Sequence, residues 1–93
     1  MTSSATEYDV ILLDGDGRCT DTDACTTVEQ ATALMIRCID TGECDTAVIE
    51  RHDIEVTINQ FDGTEDEIAA ERRTLIGWYG DPIAFRLWTE GKR

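Results

Sequence analysis

Lysine is all but missing from this chain. Lys92 is the single lysine, and with seven arginines it faces twenty acidic residues, for a net charge of −12 over 93 residues. Gripping nucleic-acid phosphates takes a basic surface, so direct nucleic-acid binding is not expected. Docking on anionic membranes is disfavoured for the same reason. Histidine is scarce too: His52 stands alone, reads as a turn residue, and completes no Ser/His or Cys/His constellation. There is no P-loop and no dinucleotide fingerprint. The sequence therefore predicts no enzyme and no cofactor. No apolar run reaches the ~20 residues of a membrane-spanning helix. The opening MTSSATEYD has neither the basic nor the apolar stretch of a secretory leader. A cytoplasmic location is expected (host cytoplasm if the protein is viral), where thiols stay reduced.

What is present suits one small globular domain. Hydrophobic residues make up 41% of the chain, which argues against wholesale disorder. Residues 1–6 read as a flexible tail, and residues 7–93 as a single acidic α+β domain. Tyr8 to Leu13 is an apolar, β-branched strand. Asp14-Gly-Asp-Gly17 is a turn, and Arg18 to Thr22 runs back as a second strand. Thr26 and Glu29 form a capping box, with Thr27 and Gln30 as a second register. Val28, Ala31, Leu34, Met35, Cys38 and Ile39 fall on one helical face, which predicts a helix over 27–41 ended by Gly42. Strands are expected at 46–51 and 54–58, with a turn or bulge at His52-Asp53 because the apolar parity shifts there. Asp62-Gly63 breaks the pattern. Thr64 and Glu67 then read as the capping box of a second helix, with Ile68, Leu75, Ile76 and Tyr79 facing the core and Gly80 and Pro82 stopping it. Ile83, Phe85 and Leu87 alternate as a last strand. The expected order is β-β-α-β-β-α-β. The expected fold is an α+β two-layer sandwich with a mostly antiparallel sheet and two helices.

The four cysteines lie in two similar frames, RCTDTDAC at 18–25 and RCIDTGEC at 37–44. A zinc site built from Cys19, Cys25, Cys38 and Cys44 needs all four sulfurs at about 2.3 Å from one ion. Thirteen helical residues would hold Cys25 and Cys38 roughly 20 Å apart, so reduced structural thiols are the favoured reading and a thiolate zinc domain a distant third. Bridges from Cys19 to Cys38 or Cys44 are geometrically open, because the helix returns its end near Cys19.

Val10-Ile-Leu-Leu-Asp-Gly-Asp-Gly17 resembles the first motif of haloacid-dehalogenase-like phosphotransferases, an apolar strand ending in D-x-D-G-T. That resemblance implies Asp14 as nucleophile and Asp16 as acid/base. It covers eight residues, Arg18 stands in place of the threonine, and no downstream lysine or acidic pair completes the site. A hairpin turn accounts for the motif.

Acidity is uneven. Residues 1–50 hold 11 acids and 2 bases, net −9, and residues 51–93 hold 9 acids and 6 bases, net −3. In the expected fold the turn at 14–17 and the helix end at 40–45 share one end of the sandwich. Asp14, Asp16, Asp40, Glu43 and Asp45 would gather there, beside the negative end of a helix dipole that favours cations. Glu65, Asp66, Glu67 and Glu71 form a second acidic face, of which Glu67 and Glu71 are further partner-binding candidates. The function this predicts is an inhibitor that mimics phosphate charge and occupies the basic surface of a protein partner, such as a nucleic-acid-binding complex. In size and charge the chain is similar to phage and mobile-element counter-defence proteins, anti-CRISPR proteins among them. Trp78 and Trp88 are candidate anchors for such an interface. The alternative is a salt-adapted (halophilic) structural or regulatory domain, consistent with thirteen threonines and scarce lysine.

Overall fold

The computed structural model describes residues 2–61 and 63–91. Six elements follow in order: β1 (Thr2–Leu13), β2 (Cys19–Cys25), α1 (Val28–Asp40), β3 (Thr46–Phe61), β4 (Thr64–Gly80) and α2 (Pro82–Gly91). The strands form one antiparallel sheet in the order β2-β1-β3-β4. The α+β class and the β-β-α-β-β-α order agree with the sequence. The helices, however, are split between the two faces of the sheet.

The run from Val10 to Leu13 is buried at every position, as is Ala47 to Ile49. Such unbroken apolar runs occur where both faces of a sheet are covered. On one face Val10, Leu12, Ala47 and Ile49 meet Ala31, Met35 and Cys38 of α1. On the other, Ile11, Leu13 and Val48 meet Phe85 and Trp88 of α2. Thr27 caps α1 by accepting from the Gln30 amide at 3.1 Å, so the second capping register is the one used. At the other end Gly42 donates to the Ile39 carbonyl and Glu43 to that of Cys38, with Gly42 at φ 77°. This is a Schellman closure.

Two elements differ from expectation. Residues 64–80, expected as a helix, form β4, paired along the whole of β3 from Thr46↔Gly80 to Phe61↔Thr64. The Ala69–Arg73 segment has helix-favouring residues, but ladder pairing with a sixteen-residue strand outweighs a weak local propensity. Residues 83–87, expected as a strand, lie in α2. Pro82 starts this helix, a position where its missing N–H costs nothing. Asp81 accepts from the Ile83 amide through its side chain at 2.9 Å and from the Phe85 amide through its carbonyl.

Two boundaries also move. Residues 2–6, read as a tail, continue β1 and pair with Asp53–Thr57 of β3. β3 runs unbroken through His52-Asp53; the register shift lies at Ile49/Glu50, where Ile76 of β4 is the extra residue. Of the expected break at 62–63, Asp62 lies outside the described residues, while Gly63 adopts φ 79°. Both helices cover only the half of the sheet nearest Leu13 and Thr46. The other half, built from Thr2–Glu7 and the far ends of β3 and β4, projects as an arm, and the molecule measures 55 × 28 × 18 Å.

Candidate functional sites

Five of the seven candidate residues lie on the turn after β1, at the end of α1 and just before β3. The turn after β1, the end of α1 and the start of β3 are tied together by the Asp45 amide, which donates to the Leu13 carbonyl at 3.0 Å. A Cβ at Gly15 would stand 3.5 Å from Asp45 Oδ2, so Asp45 reaches over the turn. Asp16, Asp40 and Asp45 are exposed. Two of the five carboxylates have structural work. Asp14 Oδ1 accepts from the amides of Asp16 and Arg18, which closes the turn as an Asx motif. Glu43 Oε2 accepts from Cys38 Sγ at 3.3 Å. Asp81 joins this end through its backbone N–H, which donates a hydrogen bond to the Asp45 carbonyl; sequence reading missed it because it was placed between a helix and a strand. Glu67 and Glu71 lie on β4 in the arm, away from the other five. Trp78 stacks on Phe85 at 4.6 Å and 8°, and Trp88 lies 6.2 Å from the same ring. Both tryptophans thus pin α2 to the sheet.

A second cluster lies on the α2 face where the arm begins. Asp9, Glu50 and His52 are buried there, at 6%, 5% and 7% exposure. Register explains the gathering: Glu7 pairs with His52, Asp9 with Glu50, and His52 with Arg73. Alternate residues of a strand share a face, so six chemistry-bearing side chains, Glu71 included, meet on three strands. Arg73 Nη1 donates to Asp9 Oδ2 at 2.8 Å. His52 Nδ1 stands 3.7 Å from the same oxygen, and His52 Nε2 stands 3.4 Å from Glu71 Oε1. The latter contact lacks hydrogen-bond alignment, which leaves Nε2 buried with no partner. Donor atoms of Glu7, Asp9 and His52 all lie within 4.8 Å of one another. Beside them a cavity of about 350 Å³ opens between β1, β2 and α2, lined by Asp9, Glu50, Cys19 and Trp88 among others. The legible signal was the apolar parity shift between Ile49 and Ile54. It marks two buried polar positions, Glu50 and His52, and no turn.

The cysteines do not converge. Cys25, Cys38 and Cys44 belong to the core under α1, whereas Cys19 lines the cavity on the opposite face. All four are free thiols. Among the described residues no metal-competent group contains a cysteine, so the four-thiolate zinc arrangement is not formed. Burial, followed by the bond to Glu43, pushes the Cys38 thiol up to about 11. Burial also raises Cys25 and Cys44, with nearby carboxylates adding to it. In the arm, the Thr6 hydroxyl and then Arg51 hold the Asp53 carboxyl below its ordinary value. No helix among the described residues is long and apolar enough to cross a membrane. No protein-family model, curated protein or solved structure matches this chain.

Proposed function

We propose that this chain is a small acidic interaction protein whose acidic end binds the basic, nucleic-acid-binding surface of a protein partner, an inhibitor acting by charge mimicry. The observation that carries this reading is the tie between Asp45 and the β1–β2 turn. It holds Asp45 against the turn that carries Asp16, and Asp40 ends α1. Carboxylates on a rigid frame can present charge without the entropy cost of ordering flexible side chains. Their field adds to the negative pole of α1, and a basic partner would be steered toward it. Counter-defence proteins of mobile elements are the class that this size and charge suggest.

The test uses the chain as bait in a host lysate beside the triple variant Asp16→Asn, Asp40→Asn, Asp45→Asn. The expected result is a protein retained by the parent chain, released by short duplex DNA, and lost by the variant. Identical capture by both baits, or capture that duplex DNA does not release, would sink the reading. A second reading rests on a different observation. Acids also populate the β2 edge (Asp21, Asp23) and the arm (Glu55, Asp66, Glu67), and all five are exposed. Acidity this widespread fits adaptation to strong salt, where self-repulsion is screened. Circular dichroism from dilute buffer to molar potassium chloride separates the two, because a salt-adapted domain unfolds at the dilute end.

A further inference from the structure

We propose that Glu7, Asp9 and His52 form a binding site for one divalent transition-metal ion of the zinc or cobalt type, independent of the acidic end.

The first argument is the buried imidazole. His52 is nine-tenths or more buried, and its Nε2 finds no hydrogen-bond partner. A buried polar atom without a partner is costly, and each such atom in a native fold asks for an explanation. Nε2 is turned toward a carboxylate oxygen, Glu71 Oε1, at 3.4 Å. The opposite ring nitrogen, Nδ1, faces Asp9, so an ion held there would leave the Nε2 N–H to point at the Glu71 carboxylate, as outer partners of metal-bound histidines do.

The second argument is charge. Glu7, Asp9, Glu50 and Glu71 surround the imidazole on three strands, and Arg73 is the guanidinium that answers them. Arg73 gives Nη1 to Asp9 Oδ2. That bond holds the carboxylate in one orientation, the role outer partners play around metal ligands, and leaves it oxygen lone pairs for an ion.

The third argument is size. A tetrahedral ion with bonds of about 2.0–2.1 Å sets its ligand atoms roughly 3.3–3.5 Å apart. The Asp9 Oδ2–His52 Nδ1 distance is 3.7 Å and all three residues reach within 4.8 Å. Glu7 is partly exposed, so its carboxylate is the ligand that would move to close that gap. One imidazole and two carboxylates favour zinc, cobalt or iron over magnesium or calcium, which take all-oxygen sets. Three protein ligands leave a fourth position for water, and the cavity lined by Asp9 provides its access.

The test is calorimetric titration of the full chain with Zn²⁺ and Co²⁺ in a phosphine reductant, repeated with Mg²⁺. One ion per chain is expected, with affinity at least tenfold weaker for Glu7→Gln and for His52→Gln and unchanged for Cys19→Ser. The Co²⁺ complex should show visible bands without thiolate charge-transfer absorption. If His52→Gln fails to fold, Glu7→Gln decides alone, since its side chain reaches solvent. No binding, equal binding of Mg²⁺, a thiolate signature, or full affinity in Glu7→Gln would each overturn the proposal.

Discussion

Gly17 is the point where the β1–β2 turn touches α2, and an alanine there should loosen that whole contact. Its φ is 77° and it is buried. A Cβ would stand 2.7 Å from the Ala84 carbonyl oxygen, 2.8 Å from Leu87 Cβ and 2.8 Å from the Trp88 amide nitrogen. Two of the three atoms are backbone, so no side-chain rotation relieves the clash, and α2 must retreat by close to 1 Å to reach ordinary contact distance. The conformational part of the cost can be removed by comparison. Gly42 has the same φ of 77° with nothing within 4 Å of its hypothetical Cβ. Left-handed backbone costs an alanine about 1–2 kcal/mol, partly offset by about 0.4–1 kcal/mol from a stiffer unfolded chain. Gly42→Ala should therefore lose about 1 kcal/mol. Gly17→Ala carries a further ~1–3 kcal/mol of overpacking. Urea unfolding at fixed salt, followed by tryptophan fluorescence and far-UV circular dichroism, measures both. Because Trp88 rides on α2, its emission should also shift in folded Gly17→Ala. Loss of stability in Gly17→Ala within about 0.5 kcal/mol of that in Gly42→Ala would refute the steric account.

Two further outcomes concern single groups. The Cys38 thiol is raised above its unfolded value of 9.0 to about 11, so its contribution to stability is whole below pH 9 and is lost as pH rises toward 11; chemical unfolding at pH 8, 9, 10 and 11 should show that decline, and Cys38→Ser should flatten it. At pH 8 about one Cys38 in a thousand is thiolate, so a disulfide reagent should label exposed Cys19 first and Cys38 only on unfolding. Asp81→Ala removes the side-chain acceptor at the start of α2 and should cost about 0.5–2 kcal/mol, visible as a lower urea midpoint with an unchanged slope.

The first half of the chain was legible because its signals are local and agree with one another. Thr27, Gln30 and Gly42 bound α1, and the Val10–Leu13 run announces a strand, though not that both of its faces are covered. The second half misled because its signals are weak or shared. Thr64 and Glu67 fit a helix start, yet Thr74, Leu75, Ile76, Trp78 and Tyr79 suit a strand, and β3 supplied the partner that decided the matter. Asp81-Pro82 was a helix-start signal read as a stop. The acidic end was visible because both of its segments are loops whose ends adjoin in any hairpin-helix arrangement. The buried cluster was not visible, since Glu7, Asp9, His52 and Arg73 meet only through the register of three strands.

The strand order also dictates how the chain assembles. β1–β2 and β3–β4 are each closed by a turn of a few residues, so each hairpin can form on its own within roughly 1–10 μs. β1 meets β3 only after β2 and α1 intervene, and that closure carries the loop entropy of the whole fold. The slow step is then the zipping of one hairpin onto the other, starting where α1 draws Val10 and Leu12 against Ala47 and Ile49 and finishing at Thr2↔Thr57. The same path run backward makes the arm the first part to open, while the half-sheet clasped by the two helices holds until the chain unfolds altogether.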